Sequence, residues 1–291
     1  MIRIGVVGHP GYEGLPSVLE TLRELAPTLD LELHYEAPLF DAAGMGERLG
    51  DVSQLDALLT LGGDGTLLRG ARIVAPHQVP ILGINLGRLG FLTCCPVGDL
   101  KGALERFAKG DYQVEWRMAL HASVLDAGGT PRQDWVALND VVLHKGGFAR
   151  VVKLRVAANG EPIATYAADG VVLSTPTGST AYSLSAGGPV VFPTLETILV
   201  TPVSAHTLAI RPVVLPPDSV VTLRADDGPE ELMVTVDGQV GTIFGVGETL
   251  AVRRAGRGVP IIRFTGTSFF ATLREKLGWG GLLERDELSQ C

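Results

Sequence analysis

Three stretches gather the residues that can do chemistry. The first is LTLGGDGTLLRGAR, Leu59 to Arg72. Here Gly62, Gly63 and Gly65 surround one carboxylate, Asp64, and Thr66 follows. Glycines in such a loop let backbone N–H groups close on a phosphate. A carboxylate repels that phosphate unless it faces a hydroxyl that must lose a proton, or a metal riding on the phosphate. The plainer alternative is a strand-to-helix turn in which Asp64 favours the helix N-terminus and Thr66 helps. No Lys-Ser/Thr follows the glycines, so this is not a Walker loop, and the spacing is not GxGxxG. Arg69, one turn further, can direct positive charge toward a phosphate or lie in solvent.

The second stretch is Leu138-Asn139-Asp140 within the apolar run WVALNDVVLH, which reads as one strand. Neighbours on a strand point to opposite faces, so one of the two polar side chains is aimed at the core or a pocket. Their donors and acceptors suit ribose hydroxyls or an adenine edge; a strand end where both satisfy a turn is the alternative. The third stretch runs from Asp169 to Val191, DGVVLSTPTGSTAYSLSAGGPVV. Small hydroxyl residues around Gly178 let a flat ligand approach the backbone, Tyr182 can stack on a base, and Ser and Thr can bind phosphates and ring nitrogens. A serine-rich turn between strands is the competing reading. There is no GxSxG elbow, and His144 and His206 have no metal-ligand spacing. Asp237-Gly238 reads as a hairpin turn, with Gln239 beside it able to reach a ligand.

Two rhythms must position these residues. Through about residue 110, strand-like runs (IRIGVVG, LELHYE, LDALLTLGG, VPILGINLG) alternate with helical patterns such as PSVLETLRELAPTL. That order predicts a parallel, Rossmann-like sheet with ligands beyond the carboxyl ends of its strands. The Asp64 loop lies at such an end. From 111 to 263 the pattern is antiparallel β, with Asn159-Gly160 and Asp237-Gly238 as hairpin turns. The predicted architecture is therefore an α/β domain, 1–110, and an all-β, sandwich-like domain, 111–263. The helical tail, 264–291, is expected to return to the first.

The whole chain sets the bounds. It has 291 residues, 46% hydrophobic, with 37 glycines and 18 prolines scattered between apolar runs, as many short strands and tight turns require. A net charge of −8 without a long basic run argues against a nucleic-acid partner. No apolar run approaches the roughly 20 residues of a membrane span. Cys94, Cys95 and Cys291 form no metal or disulfide pattern, which fits a reducing cytoplasm.

Taken in order, GGDGT, the Asn-acidic pair, and DG followed by STPTGSTAYSLSAGGP resemble the bacterial NAD kinases. The likeness continues through GINLGRLGFLT to FFATLREKLGW. The serine/threonine stretch is specific to that family, whereas GGDGT also occurs in lipid kinases and phosphofructokinases. The resemblance implies phosphoryl transfer from ATP, with Mg²⁺ or another divalent metal carried on its phosphates, to the 2′-hydroxyl of the adenosine ribose of NAD. It implies a homo-oligomer, a dimer or tetramer. By position, Asp64 matches the general base, with Gly65 beside it. Asn139 and Asp140 match the pair that holds NAD, Asp169 the aspartate before the hydroxyl stretch, and Thr180, Ala181, Tyr182, Ser183 and Ser185 the dinucleotide site. Arg69, Arg150, His206 and Gln239 match more weakly. Two positions depart: Asp140 stands where many members have Glu, and Ala167 where some carry Arg, which opens the question of NAD against NADH. A non-catalytic dinucleotide sensor and a lipid or sugar kinase are the rival readings.

Overall fold

A computed structural model describes residues 1–87, 90–146, 151–205, 210–225, 232–266 and 268–279. Arg150, His206, Cys291 and the tail beyond Trp279 lie outside them. The chain forms two compact units, one of Met1–Glu115 with the segment from Pro260, the other of Trp116–Val259.

The first unit starts with β1 (Ile2–Gly8), whose apolar residues are buried on both faces, as a central parallel strand requires. Helix α1 (Leu15–Thr28) buries Leu15, Val18, Leu19, Leu22 and Ala26, one stripe at helical spacing, and has a proline in its first turn. Then come β2 (Leu31–Tyr35), α2 (Ala37–Ala43), β3 (Glu47–Arg48), β4 (Ala57–Gly62), α3 (Asp64–Val74), β5 (Ile81–Asn85), β6 (Cys95–Pro96), α4 (Leu100–Ala108) and β7 (Gln113–Arg117). β1 pairs in parallel with β2 on one side and β4 on the other, and β4 continues to β5. The chain thus reverses its direction of winding at β1 and β4, and the crevice beyond their carboxyl ends is where open parallel sheets hold ligands.

In the second unit the strands are β8 (Leu120–Leu125), β9 (Pro131–Ala137), β10 (Asp140–Lys145), β11 (Val152–Ala158), β12 (Glu161–Ala168), β13 (Gly170–Ser174), β14 (Ile198–Val203), β15 (Val213–Leu215), β16 (Val221–Ala225), β17 (Leu232–Val236), β18 (Val240–Phe244) and β19 (Thr249–Arg254), with one short helix, α5 (Tyr182–Ser185). They make two antiparallel sheets, β15-β14-β13-β10-β17-β18 and β12-β11-β16-β19-β8-β9. Inward residues of both, among them Leu120, Val124, Leu143, Leu154, Leu173, Val234 and Leu250, share one core. Both hairpin dipeptides adopt positive φ, 52° and 83° at Asn159-Gly160 and 50° and 63° at Asp237-Gly238, which matches the twist of the strands they join.

One expectation is corrected. WVALNDVVLH is not one strand: it is β9 and β10, which lie in different sheets, and Leu138-Asn139 is the crossing between them. Asp169 stands at a second crossing, from β12 to β13. After β19 the chain re-enters the first unit. There β20 (Val259–Arg263) takes a place between β5 and β7 in the parallel sheet, and α6 (Phe269–Leu277) follows. The α/β and all-β architecture with a final helix therefore stands.

Candidate functional site

The glycine loop sits at the carboxyl end of β4. Gly63 is extended and caps α3, and Asp64 is the first helical residue, where a negative charge suits the helix dipole. A Cβ on Gly62 would lie 2.1 Å from Thr66 Oγ1, so the tight turn admits only glycine there. Thr66 is buried, whereas Gly63 and Gly65 are exposed. The Asp64 carboxylate is half-buried and held by a second loop. Its Oδ2 accepts the Phe91 N–H at 2.9 Å, and its Oδ1 accepts those of Leu92 and Thr93 at 3.0 and 3.4 Å. This carboxylate is therefore more than a helix cap. Two oxygens offer about four lone-pair directions, so three N–H groups fix its orientation and leave room for one further donor.

That second loop is itself braced. Gly90 passes so close to Asp64 that a Cβ would lie 1.8 Å from Oδ1. Thr93 Oγ1 accepts from Asn85 Nδ2 at 3.0 Å and from the Gly90 N–H at 3.2 Å. Arg263, at the end of β20, donates to the carbonyls of Thr93 and Phe91 at 3.1 and 2.9 Å. Phe269 of α6 lies against the Phe91 ring, centroids 6.1 Å apart. Spacing in the sequence gave no sign of Gly90 or Arg263, because both act on Asp64 across long separations.

Arg69 is not the solvated arginine of the plainer reading. Its guanidinium grips Glu36 at 2.5 and 2.9 Å and the Gly8 carbonyl at 2.6 Å. Glu36 in turn accepts the Gly8 N–H at 2.7 Å. The pair thus ties the ends of β1 and β2 to α3, at the side of the crevice flanking β1.

In the second unit Asn139 and Asp140 are set by Asp237. The Asp237 carboxylate accepts the N–H groups of Leu138, Asn139 and Asp140 at 3.1, 2.8 and 3.1 Å. The Asp237 N–H returns to the Asp140 carbonyl at 2.9 Å. A turn aspartate thus takes the hydrogen bonds that a neighbouring strand would otherwise supply, which is why the chain can cross between sheets here. The Asn139 carbonyl accepts from the Thr175 N–H and the Ser174 hydroxyl at 2.9 and 3.2 Å, so the start of the hydroxyl stretch is locked to the same bend. Gly178 packs so tightly that a Cβ would lie 2.1 Å from the Asn139 carbonyl oxygen. The Asn139 side chain is half-buried, while Asp140 is 4% exposed. Burial, and then the Asp237 charge, push the Asp140 carboxyl up to about 7, while the Tyr182 N–H pulls it down.

The hydroxyls divide into two sets. Thr175 bonds the Leu138 carbonyl at 2.6 Å, Ser179 bonds both backbone groups across to Val191, and Ser183 meets Thr201 at 3.0 Å. These side chains are buried and build the loop. The side chains of Tyr182 and Ser185 are exposed, while half-buried Thr180 turns its hydroxyl to the Thr177 carbonyl at 3.3 Å and its neighbour Ala181 is half-buried. Asp169 pairs with Lys145 at 2.7 Å. Gln239 is exposed in the Asp237 turn. Among the described residues, the one group of carboxylates and histidine close enough to hold an ion is Glu32, His34 and Glu47, on β2 and β3 rather than at either cluster.

Comparison with known proteins now bears on these clusters. Residues 49–112 match the ATP-NAD kinase N-terminal domain and residues 138–264 the ATP-NAD kinase C-terminal domain. The chain is 60% identical to an NAD kinase of Gemmatimonas aurantiaca over 285 residues, covering 98% of this chain and 99% of that one. It is 45% identical to an NAD kinase of Heliobacterium modesticaldum over 286 residues, 96% of this chain and 100% of that one. Among solved structures it resembles yeast NADH kinase complexed with NADH, with a TM-score of 0.84 and 27% identity over 96% of this chain and 88% of that one. It also shares the fold of an NAD kinase from Archaeoglobus fulgidus in complex with ATP, with a TM-score of 0.72 and 24% identity over 94% of this chain and 98% of that one. The ordered motifs, the two units and these matches lead to one conclusion: the chain belongs to the NAD kinase family.

Proposed function

We propose that this chain transfers the γ-phosphoryl group of ATP to the 2′-hydroxyl of the adenosine ribose of NAD, giving NADP, with Asp64 as the general base. The observation that carries the reading is the Asp64 carboxylate, fixed by three N–H groups beyond the end of β4 with one acceptor direction left. In that direction it accepts the 2′-hydroxyl proton as the oxygen attacks phosphorus. Gly62, Gly63 and Gly65, with Thr66, form the loop that admits the phosphates, and exposed backbone at Gly63 and Gly65 supports this.

NAD is bound by Asn139, Asp140, Asp169, Thr180, Ala181, Tyr182, Ser183 and Ser185, with Arg69, Arg150, His206 and Gln239 as further contacts. Ser183 contributes through its backbone, since its hydroxyl is engaged with Thr201. Arg69 contributes through the edge not turned to Glu36. Mg²⁺ enters with ATP: the glycine loop presents a single carboxylate, which fits a metal held mainly by phosphate oxygens and water. When bound, the metal neutralises charge building on the phosphoryl oxygens. The working enzyme is a homo-oligomer, dimer or tetramer, a reading supported by apolar side chains standing out from β18, Ile243 being 66% exposed. Free thiols at Cys94 and Cys95 fit a cytoplasmic location.

The test is the Asp64→Asn variant. NADP formed from NAD, Mg²⁺ and ATP is counted with an NADP-specific dehydrogenase, with NADH and polyphosphate as parallel substrates. Turnover should fall at least about 100-fold while NAD still binds. Near-normal turnover would strip Asp64 of the base role. NAD binding without any turnover in the unaltered chain would favour a sensor.

A further inference from the structure

Cys94 and Cys95 are consecutive, both free and both buried, at 6% and 8% exposure. On a regular strand consecutive side chains part to opposite faces. Here they converge, with the sulfurs 3.5 Å apart, because β6 begins only at Cys95. The Cys94 N–H and S–H both reach the Gly83 carbonyl, at 2.9 and 3.2 Å, which anchors the pair to β5. The preceding residue is Thr93, whose N–H is one of the three on Asp64 and whose hydroxyl and carbonyl are held by Asn85, Gly90 and Arg263. The dithiol and the catalytic clamp are therefore joined by a single residue that is bonded on every side.

We propose that Cys94 and Cys95 form a modification site, a dithiol that a peroxide closes reversibly to a disulfide, and that closure withdraws Thr93 from Asp64 and lowers phosphoryl transfer. The inference rests on the proposed role of Asp64. Consecutive Cα atoms lie about 3.8 Å apart. Disulfides ordinarily span about 4.4–6.8 Å between Cα atoms, so this bond must be strained and easily reduced. To form it, the sulfurs must close from 3.5 Å to about 2.05 Å, a motion of about 1.5 Å that the side-chain torsions share with the backbone, because the Cα atoms stand too close for an unstrained bridge.

The two thiols are unequal. The Cys95 S–H donates to Cys94 and the Arg263 guanidinium lies near, which makes Cys94 the easier to ionise, while Cys95 is pushed up by its partner and by burial. Cys94 is thus the attacking thiolate. It takes one oxygen from hydrogen peroxide, breaking the O–O bond and releasing hydroxide, to give a sulfenic acid. The Cys95 sulfur then displaces that oxygen, forming the S–S bond. The net result is that two S–H bonds and one O–O bond break, two electrons pass from sulfur to peroxide, and both thiol protons leave in two molecules of water.

The test uses the full chain carrying Cys291→Ser, so that only this pair can close. Protein is held with hydrogen peroxide, quenched with catalase, and read by intact mass, by turnover and again after dithiothreitol. The expected result is a loss of about 2 Da, a fall in kcat of about tenfold or more, and recovery of both on reduction. Added Cys95→Ser should abolish the loss of mass and leave at most an added oxygen. Phenylarsine oxide, which bridges two close thiols with release of water and no electron transfer, should inhibit the reduced protein but not bind the oxidised one. Thiols that stay free under peroxide, or a disulfide that forms with turnover unchanged, would overturn the proposal. If the disulfide forms without effect while Asp64→Asn is inactive, the base assignment survives; if Asp64→Asn is active, it is that assignment which fails.

Discussion

Gly90→Ala is the sharpest probe of how Asp64 is held. The backbone at Gly90 does not have positive φ, so alanine brings no conformational penalty there. It brings one methyl group, whose carbon would lie 1.8 Å from Asp64 Oδ1 and 2.5 Å from its Cγ. Since Cβ contacts essentially never fall under 3.0 Å, the carboxylate or the loop must retreat by about 1.2 Å. A displacement of that size lengthens the bonds from Phe91 and Leu92, now 2.9 and 3.0 Å, beyond hydrogen-bond range. A misplacement of about 1 Å costs about 100-fold in rate, or about 2.7 kcal/mol of barrier. Stability should drop by about 1–3 kcal/mol from overpacking. The assay is steady-state NADP formation, with NAD affinity by calorimetry and thermal melting on the same samples. The expected pattern is a large fall in kcat with NAD affinity changed little. Gly87→Ala in the same loop is the control, because among the described residues its Cβ meets nothing nearer than Asn85 Oδ1 at 3.9 Å. A Gly90→Ala enzyme with kcat within roughly threefold of the unaltered chain would refute the claim that rate depends on this clamp.

Asp237→Asn should separate the clamp on Asn139 and Asp140 from the turn that carries it. Asparagine tolerates the φ of 50° at this position, so the hairpin survives. A single carbonyl oxygen cannot receive three N–H groups, and the KM for NAD should rise about tenfold with the KM for ATP unmoved; equal changes in both would point to general damage instead. Asp140 should make stability pH-dependent. Its carboxyl is raised from the ordinary value to about 7, so between about pH 4 and 7 the folded chain binds a proton that the unfolded chain has lost. Stability therefore declines as pH rises through that window and levels off above it. Asp140→Asn should remove a decline on the order of a few kcal/mol, read as the difference between the two proteins in urea titrations from pH 4.5 to 8. Parallel curves would show that Asp140 is ionised throughout.

The large features were legible in the sequence because they rest on local periodicity. Alternation of Val152, Leu154 and Val156 foretells β11, and glycine after an apolar run foretells the turn into α3. The misreading of WVALNDVVLH shows the limit. A run of apolar residues does not reveal a change of sheet, and the cause, a carboxylate 97 to 99 residues away, leaves no trace in the spacing. Asp237 shows only a turn former in the sequence, since Asp-Gly satisfies that pattern whether or not the carboxylate has other partners. Likewise Ser174, Thr175, Ser179 and Ser183 spend their hydroxyls on other groups of the protein. Residue type showed capacity for hydrogen bonding, and only the packing decided which hydroxyls face inward.

The place of β20 has a consequence for how the enzyme comes into being. A ribosome releases the chain from its N-terminus, and the first 117 residues supply every strand of this sheet but one. The missing strand lies between β5 and β7, so a nascent first unit has an open gap until the whole second unit has been synthesised. The same late strand ends in Arg263, the brace on the loop that orients Asp64. Setting of the Asp64 carboxylate is thereby deferred to nearly the last step of synthesis, and a truncated product cannot complete it.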